Sequence, residues 1–373
     1  YHKDRVDEIV HKLHALGITI YSTGGTYDFI RGLGVDAITV ESLTSYPSIF
    51  GGRVKTLHPK VLGGILYRRE EAEDLKQAAE FEIPPIDLVI VDLYPFEATV
   101  ASGAAEDEII EKIDIGGISL IRAAAKNYHD VIIVPSAEQY NDLINLLDTK
   151  QGSSDLEDRF YFAAQAFNVS SHYDTAIFNY FNRKADIKAF RQSFNKAEVL
   201  RYGENPHQEG VFYGDMSEVF TQLHGKAISY NNLVDLEAAL ALIKEFSEPT
   251  FAIIKHTNAC GVASRPTLKE AWCDALAGDP VSAFGGVVAA NRDIDLGTAE
   301  EVNKLFFEII IAPSYEKNAL ELLKSKKNRI ILQIKPFDFQ AKQFKSVLNG
   351  VIEQVKDTHT ESASGLQAVT DIK

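Results

Sequence analysis

The sequence predicts an α/β protein with two domains, and three observations support this prediction. Short apolar runs alternate with amphipathic stretches in the first part of the chain, which is typical of a parallel, doubly wound sheet. The composition shifts within Lys184–Ala197, and a second series of apolar runs follows. A chain of 373 residues is also too long for one ordinary core. We therefore predict a first domain over 1–150, a helical connector over 151–195 and a second domain over 196–373.

The first domain is predicted to open on a helix over Val6–Leu16, whose apolar residues recur at helical spacing before Gly17. Because a sheet of this kind normally begins with a strand, we expect a further strand before Tyr1. The later strands are predicted at Ile18–Tyr21, Ala37–Val40, Asp87–Leu93 and Val131–Val134, and helices at Thr26–Leu33 and within Ile109–Asn127.

The connector is predicted to be helical over Phe160–Phe181. In the second domain, the pattern predicts strands at Val211–Tyr213, Phe251–Ile254 and Val287–Ala290 and a helix at Ala238–Phe246. After Lys342 the sequence is polar and weakly patterned, and we expect Thr358–Gly365 to be frayed.

Composition and charge exclude several classes of function. The formal net charge is −15, which argues against a nucleic-acid partner but leaves room for a small phosphate ligand in a local basic pocket. The two cysteines, Cys260 and Cys273, are too few for a disulfide scaffold and form no CxxC metal motif. The apolar runs are too short to span a membrane, and no signal-peptide core follows the charged N-terminus. We expect a cytoplasmic protein.

Ser22-Thr23-Gly24-Gly25-Thr26 lies between a predicted strand and a predicted helix. Paired glycines bring backbone N–H groups close to a ligand, and the helix contributes the positive end of its dipole. The segment therefore suits a phosphate group. A structural interpretation stays open, because a Gly-Gly turn with a capping threonine is common.

The loop Gly51–Lys60 concentrates positive charge in an acidic chain, with Arg53, Lys55, His58 and Lys60 close together. Arginine suits a phosphate or carboxylate as a planar fork, and lysine acts as a mobile point charge. A solvated basic loop is the structural alternative. Glycine and proline fix the shape of this loop, which solvation does not require, so the pattern favours a binding function.

Three further residues lie at the ends of later elements. Tyr94 follows the strand Asp87–Leu93, at the edge where open α/β sheets bind ligands. Asp114 precedes a helix that ends near Lys126. Each also has a structural explanation: strand-end packing for Tyr94, an N-cap for Asp114 and a favourable charge at a helix C-terminus for Lys126. Their joint occurrence favours a site.

In the second domain, Lys255 and His256 directly follow the strand Phe251–Ile254. An adjacent lysine and histidine at a strand end suit proton transfer, although a charged strand terminus is the simpler explanation. The loop Leu200–Gln208 combines a cation, an aromatic ring and an imidazole around a turn.

Four segments of the first domain together resemble the IMP (inosine monophosphate) cyclohydrolase domain of a bifunctional family of purine enzymes. They read STGGT at 22–26, GGRVKTLHPKVLGGIL at 51–66, DLVIVDLYPF at 87–96 and IDIGGISLIRAAAKN at 113–127. The resemblance spans nearly all of residues 1–135 and implies a methylglyoxal-synthase-like parallel-sheet sandwich. It also implies a ring closure, in which the amide nitrogen of a formylated aminoimidazole carboxamide ribotide attacks the formyl carbon and water leaves.

The resemblance assigns roles to individual residues of this domain. Lys55 and Tyr94 would lie near the formyl group, Asp114 would orient or deprotonate the amide, and Lys126 would assist at the departing oxygen. The residues implied in substrate binding are Ser22, Thr23, Gly24, Gly25, Thr26, Arg53, Thr56, Gly116 and Gly117.

The second domain resembles the transformylase domain of the same family over roughly 198–335. The matching segments read LRYGENPHQ at 200–208, SYNNLVDLEAAL at 229–240, IIKHTNACGVA at 253–263, DPVSAFGGVVA at 279–289 and IIIAPSY at 309–315. This resemblance implies half of a duplicated, cytidine-deaminase-like α/β fold without the deaminase zinc, and we expect the second half of the duplication to lie beyond residue 373.

The implied reaction is formyl transfer from the cosubstrate 10-formyltetrahydrofolate to the 5-amino group of the ribotide. His256 would take the amine proton and Lys255 would steady the formyl oxygen. The residues implied around the nucleotide and folate substrates are Arg201, Tyr202, His207, Asn232, Asn258, Phe284, Gly285 and Glu308. The resemblance further implies a homodimer, and no catalytic metal is expected.

Two alternatives share the first fold. A nucleotide-sensing regulatory module would keep the STGGT turn but would not need Lys55, Tyr94, Asp114 and Lys126 together. Methylglyoxal synthase would be a single small domain with catalytic aspartates elsewhere. The second part of this chain argues against both.

Overall fold

The computed structural model describes residues 2–359, 363–365, 367 and 369. The chain divides into two compact units, Tyr1–Asn195 and Lys196–Lys373. Both units combine helices with strands, which confirms the predicted α/β class.

The first unit is mainly helical. Its helices are α1 (Val6–Ala15), α2 (Gly24–Gly32), α3 (Val40–Thr44), α4 (Pro59–Leu66), α5 (Ala72–Glu80), α6 (Phe96–Ala101), α7 (Glu106–Ile110), α8 (Gly116–Lys126), α9 (Tyr140–Lys150) and α10 (Leu156–Ala185). Its strands are β1 (Tyr21–Ser22), β2 (Ile38–Thr39), β3 (Leu88–Ile90) and β4 (Ile132–Val134), and 3-10 turns lie at Phe50–Gly52 and Ala137–Gln139.

The strands of this unit pair in parallel, as the alternating pattern predicts. β1 pairs with β2, and β3 pairs with β4, in two separate two-stranded sheets. The strands are shorter than the apolar runs that predicted them, and both Ile18–Ile20 and Ile86–Ile90 line a cavity of about 870 Å³. The strand expected before Tyr1 lies outside the described residues.

Helix α10 is the longest element of the first unit, with 30 residues. It begins earlier than the predicted Phe160 because Asp155 and Asp158 form a capping box that fixes its first turn. Ala163 and Ala166 of α10 pack into the core that also contains Ile121 of α8. Helix α10 therefore packs against α8 and stabilises its position.

The second unit is built on a sheet. Its strands are β5 (Ala197–Val199), β6 (Val211–Tyr213), β7 (Phe220–His224), β8 (Thr250–Lys255), β9 (Asn258–Ser264), β10 (Val287–Ala290), β11 (Ile309–Ala312), β12 (Ile330–Ile334), β13 (Lys342–Val347) and β14 (Gly350–Val355). Its helices are α11 (Tyr230–Ile243), α12 (Leu268–Gly278), α13 (Leu296–Val302) and α14 (Lys317–Lys324), with 3-10 turns at Met216–Glu218 and Ala363–Gly365.

Six strands form a mixed sheet in the order β7-β12-β11-β10-β8-β9, in which β10, β11 and β12 are parallel. Successive side chains of β8 point to opposite faces. Phe251 and Ile253 pack with Trp272 of α12, whereas Ala252 and Ile254 pack with Leu236 of α11. Helices therefore cover both faces of this sheet.

Two predictions for the second unit differ from the structure. Helix α11 begins eight residues before Ala238, because Ser229 and Asn232 form a capping box. The polar segment after Lys342 forms a regular antiparallel hairpin of β13 and β14, in which local cross-strand pairing replaces a buried face. The expected fraying of Thr358–Gly365 falls in part on residues 360–362, which lie outside the described residues.

A search of the described helices for one that is long and apolar enough to cross a membrane finds none.

Candidate active sites

The glycine turn after β1 presents the N-terminus of α2. Thr23 is the N-cap residue, yet its side chain makes no capping hydrogen bond, so its hydroxyl stays available to a ligand. A side chain added at Gly24 or Gly25 would meet no atom within 4 Å, so space is open in front of the first turn. Lys3 donates a hydrogen bond to Thr26 Oγ1 at 2.7 Å. A cation and a helix N-terminus thus converge, as anion binding requires.

The basic loop folds back on itself. Phe50 and Gly51 both have positive φ, and the ammonium group of Lys55 lies against Gly52, where an added Cβ would be 3.6 Å from Lys55 Nζ. Arg53 is exposed and pairs with Glu111. The loop therefore holds Lys55 against its glycine turn, while Arg53 reaches an acidic side chain.

His58 and Lys60 have structural roles in the same loop. His58 is the N-cap of α4, and its Nδ1 accepts a hydrogen bond from the Lys60 N–H at 3.1 Å. The Lys60 ammonium lies 3.5 Å from Glu82. These contacts explain both residues without a ligand.

Asp114 lies two residues before the first residue of α8, and its carboxylate is turned toward the helix. Its Oδ1 accepts a hydrogen bond from the Gly117 N–H at 2.6 Å. A Cβ added to Gly117 would lie 2.7 Å from Asp114 Oδ2, so glycine is required for this close approach. The Asp114 N–H donates to the hydroxyl of Tyr173 at 2.9 Å, and that hydroxyl donates to the Lys112 carbonyl at 2.6 Å.

Burial raises the pKa of the Asp114 carboxyl, and hydrogen bonds from the backbone N–H groups of Gly117, Ile118 and Tyr94 partly offset this effect. Burial also raises the pKa of Tyr173 to about 12. The tyrosine therefore keeps its proton at neutral pH and remains a donor. A carboxyl with a raised pKa is a stronger base when ionised, which suits proton abstraction.

The structure brings most of the predicted residues of the first unit together. The hydroxyl of Thr56 would lie 2.9 Å from a Cβ added to Gly116, so the basic loop touches the start of α8. The backbone N–H of Tyr94 reaches the Asp114 carboxylate. Four of the polar residues, from both the glycine turn and the basic loop, line one cavity: Ser22, Thr23, Thr26 and Thr56.

Lys126 is the exception. It is the last residue of the 11-residue helix α8, which places it about 15 Å along the helix axis from Gly116. The structure does not bring Lys126 next to Asp114. Its assignment stays a prediction, and its position matches the structural alternative of a cation at a helix C-terminus.

In the second unit, Lys255 and His256 lie at a tight hairpin turn between β8 and β9. His256 and Thr257 have φ values of 52° and 63°, as the two-residue hairpin turns of this twist require. The Thr257 N–H donates to Asp235 of α11 at 2.7 Å, and the Asn258 side chain donates to the His256 carbonyl at 2.8 Å. The turn that carries the histidine is therefore held from two sides.

The hairpin turn meets a second segment at the same end of the sheet. Lys255 Nζ donates to the Phe284 carbonyl at 2.9 Å. The Gly285 N–H donates to the Phe306 carbonyl at 2.8 Å, and Phe284 and Phe306 have ring centroids 5.0 Å apart. The Glu308 N–H donates to the Gly286 carbonyl at 3.0 Å. Lys255, His256, Phe284, Gly285 and Glu308 therefore form one cluster.

The loop Leu200–Gln208 is tethered to the start of α11. Asn231 donates to the Glu204 carbonyl at 3.0 Å, and Asn231 lies four residues before Asp235, on the same helix face. Arg201 stacks over the Tyr202 ring at 4.6 Å and donates to the Tyr202 hydroxyl at 2.7 Å. One face of α11 thus supports both this loop and the hairpin turn.

Two predicted residues of that region have distinct environments. Asn232 is buried, and its side chain accepts a hydrogen bond from the Ser229 N–H at 3.2 Å. Its role as an N3 cap residue explains its burial. His207 is exposed in the loop, where it stays available to a ligand.

Sequence reasoning missed Tyr173 and Lys3. Tyr173 lies 59 residues from Asp114 in sequence, within a helix whose pattern shows only apolar spacing, so no local signal marks it. Lys3 precedes the first predicted helix and belongs to no motif. Within the described part of the chain, no group of three or more His, Cys, Asp or Glu residues is placed to hold a metal ion.

Comparison of the sequence with known proteins identifies the family of this chain. The family model described as "AICARFT/IMPCHase bienzyme" matches residues 124–373, and the model of the MGS-like domain matches residues 5–119. The bifunctional purine biosynthesis protein PurH of Bacteroides thetaiotaomicron is 61% identical over 371 residues, which cover 100% of this chain and 73% of that protein.

The chain belongs to the AICARFT/IMPCHase bienzyme family.

Further relatives are the proteins of the same name from Thermoanaerobacter sp., 43% identical over 99% of this chain and 74% of that protein, and Acetivibrio thermocellus, 42% identical over 100% and 75%. The AICARFT/IMPCHase bienzyme combines formyltransferase activity on aminoimidazole carboxamide ribotide (AICAR) with IMP cyclohydrolase activity, the final two steps of purine biosynthesis. The predicted function and the methylglyoxal-synthase-like fold of the first domain are confirmed.

The AICARFT/IMPCHase assignment also decides between the alternatives. A methylglyoxal synthase would contain a single small domain, whereas the bienzyme model matches 124–373. A regulatory module is not favoured, because the similar proteins are enzymes that span the whole chain. The bienzyme model begins inside α8, so the family treats the end of the first unit and the second unit as one region.

Proposed function

We propose that the first unit closes the ring of formylated AICAR (FAICAR) to form IMP, with Asp114 as the base. The observation that carries this proposal is the approach of the Asp114 carboxylate to the Tyr94 N–H, beside a start of α8 that contacts the basic loop. An amide nitrogen is a poor nucleophile, so a held geometry and a positioned base supply most of the acceleration.

The amide nitrogen forms a bond to the formyl carbon and loses one proton to Asp114, while Lys55 stabilises the negative charge that develops on the formyl oxygen. That oxygen then leaves as water, with one hydrogen from the amide nitrogen and one from the formylamino nitrogen. Tyr94 lies beside the formyl group, and the phosphate occupies the turn Ser22–Thr26, where Lys3 adds a cation.

The test is the ultraviolet absorbance of IMP formed from FAICAR by the chain and by Asp114→Asn. Asparagine keeps the shape of the side chain and can still accept the Gly117 N–H, but it cannot take the proton. We expect a loss of about 100-fold or more in kcat. Glu108→Gln, an exposed acid on α7, is the matched control. Equal losses in both variants, or none in Asp114→Asn, would contradict the assignment.

For the second unit, we infer formyl transfer from 10-formyltetrahydrofolate to the 5-amino group of AICAR. The amine nitrogen bonds to the formyl carbon as the bond to the folate nitrogen breaks, and His256 takes the amine proton for return to that nitrogen. Lys255 steadies the formyl oxygen. The cluster of Lys255 and His256 with Phe284 and Glu308 supports this proposal, and Arg201, Tyr202, His207, Asn232, Asn258 and Gly285 complete the proposed ligand contacts.

His256→Asn tests this second proposal, because asparagine tolerates the positive φ at that position and so keeps the turn. Thr257→Asn, at the next position of the same turn, is the control. We expect formyl transfer to fall by about 100-fold in His256→Asn alone, measured from tetrahydrofolate release. Activity that survives in His256→Asn would exclude the imidazole as the base.

We also propose a homodimer in the cytoplasm. The hairpin of β13 and β14 exposes Val351 and Val355 on one face and Ile352 on the other, and exposed apolar side chains of this kind are often covered by a partner subunit. Both cysteines are free, as a reducing compartment favours. Sedimentation of the protein at several concentrations measures the mass, and a monomer at every concentration would contradict the dimer.

A further inference from the structure

A basic cleft in the second unit lies beside the proposed transformylase cluster. It encloses about 500 Å³ and is formed mainly by the turn 303–308 and the loop 325–329. Its volume falls in the range of small-ligand pockets. Five cationic side chains and one carboxylate line it: Lys226, Lys304, Lys326, Lys327, Arg329 and Glu308.

Arg329 lines this cleft and is buried, with 4% of its surface exposed. Its guanidinium lies 4.2 Å above the Phe307 ring, and Nη1 donates to Asn303 Oδ1 at 2.7 Å and to the Leu323 carbonyl at 3.1 Å. Its Nε is buried and has no hydrogen-bond partner within the described residues. A buried donor without a partner is costly, so the described residues leave this guanidinium incompletely hydrogen-bonded.

Burial without a carboxylate partner also lowers the pKa of Arg329. A bound anion would offset this desolvation, since a buried charge is stable only when it is paired. Glu308 is not the counter-charge of Arg329, because its Oε2 lies 2.9 Å from Lys226 Nζ and pairs with that lysine. Arg329 therefore has no carboxylate partner among the described residues that line the cleft.

The two lysines at the rim add charge that the protein does not neutralise. Lys326 and Lys327 are exposed, and their ammonium groups form no ion pair with any residue of the described segments. In a chain with a net charge of −15, such a concentration of cations creates a local positive potential that attracts anions.

We propose that this cleft binds a doubly charged anionic group, either a phosphate monoester or a glutamate-type dicarboxylate, between Arg329 and the lysines Lys326 and Lys327. Both groups offer several oxygen acceptors to a guanidinium and two ammonium groups. The cleft opens beside Phe306 and Glu308 of the proposed transformylase cluster. A part of this cleft in formyl transfer rests on the proposed function of the second unit. Binding of an anion in the cleft does not depend on that function.

The experiment titrates the full chain with inorganic phosphate and, separately, with glutarate, by calorimetry. The double variant Lys326→Gln/Lys327→Gln removes the rim charges, and Lys317→Gln/Lys345→Gln removes two exposed lysines elsewhere in the same unit. The turn Ser22–Thr26 is a second candidate site for phosphate, and it is unchanged in both variants. The two variants are therefore compared with each other, so that binding at this turn cancels. We expect the control to retain a site that the rim variant binds about tenfold or more weakly.

The two probes distinguish the sources of the anion. If phosphate binds and the rim variant weakens this binding, the cleft holds the phosphate of the ribotide. If glutarate behaves in this way, the cleft holds the carboxylates of the folate. Arg329→Lys keeps a cation but removes the donors of the guanidinium, and we expect weaker binding in a chain with an unchanged far-ultraviolet spectrum. Equal binding in the rim and control variants, or no saturable binding of either probe, would overturn the proposal. Failure of the transformylase assignment is detected separately, by turnover in His256→Asn.

Discussion

The hydroxyl of Tyr173 accepts a hydrogen bond from the main-chain N–H of Asp114 at 2.9 Å, although helix α10 and the start of α8 are far apart in sequence. The same hydroxyl donates to the Lys112 carbonyl at 2.6 Å. One phenol thus fixes the backbone on both sides of Ile113. Tyr173 therefore fixes the main chain of the proposed base, while the Gly117 N–H orients its carboxylate.

Tyr173→Phe is expected to weaken ring closure and leave formyl transfer unchanged. The ring keeps its packing against Phe96, but the two hydrogen bonds are lost, which corresponds to a fall of about 3- to 10-fold in kcat/KM for FAICAR. Tyr180→Phe is the control, because Tyr180 also packs against Phe96, with centroids 5.7 Å apart. Similar kinetics in the two variants would show that the phenol does not position Asp114.

Gly117→Ala is expected to abolish most ring closure. The new methyl group would lie 2.7 Å from Asp114 Oδ2 and 3.0 Å from Val91 Cγ1, so the carboxylate must shift, and a shift of about 1 Å costs about 100-fold in rate. Gly32→Ala on α2 meets no atom within 4 Å and should keep full activity with equal or higher stability. Steady-state kinetics with FAICAR measure the difference.

Asp114→Asn is expected to raise the melting temperature at neutral pH. Burial raises the pKa of this carboxyl above its unfolded value, so folding favours the protonated form. That contribution is fully present below the unfolded pKa of about 4 and is lost as the pH rises through the folded pKa. The advantage of asparagine should therefore shrink on acidification. Calorimetric scans from neutral to acidic pH test this, and a constant difference would contradict it.

Gly261→Ala is expected to destabilise the second unit. An added Cβ would lie 1.8 Å from the carbonyl oxygen of Ala275, so β9 and α12 would have to separate, at a cost of about 3 kcal/mol. Gly297→Ala on α13, where the nearest atom is 3.6 Å away, is the control. Limited proteolysis should cut the second unit of Gly261→Ala first, and equal resistance of both variants would disprove this packing argument.

The elements that the sequence predicts are present in the structure, but several of them begin at other residues. The runs Val211–Tyr213 and Val287–Ala290 match their strands, because each is a short apolar segment within a sheet. The starts of α10 and α11 were missed because side-chain capping by Asp155 and Ser229 sets them. Apolar periodicity does not register such polar contacts.

The candidate sites could also be predicted only where their residues lie close together in the sequence. Segments that carry their chemistry locally, such as the loop of Arg53 and Lys55, are visible in the sequence. Contacts that depend on tertiary structure are not: the support of Asp114 by Tyr173, the cavity around Thr56 and the orphan nitrogen of Arg329. Spacing along a helix also explains why Lys126 lies apart from Asp114, since a helix of 11 residues separates its two ends.

The strand order of the second unit has a consequence for the protein as it leaves the ribosome. Strand β7 pairs with β12, so about 110 residues must be synthesised between Phe220 and its partner strand, which takes roughly 5–20 s at cellular rates of translation. During that interval Phe220, buried in the finished sheet, has no strand to pair with. Synthesis of this enzyme therefore leaves an apolar nascent segment that chaperones are expected to bind until β12 emerges.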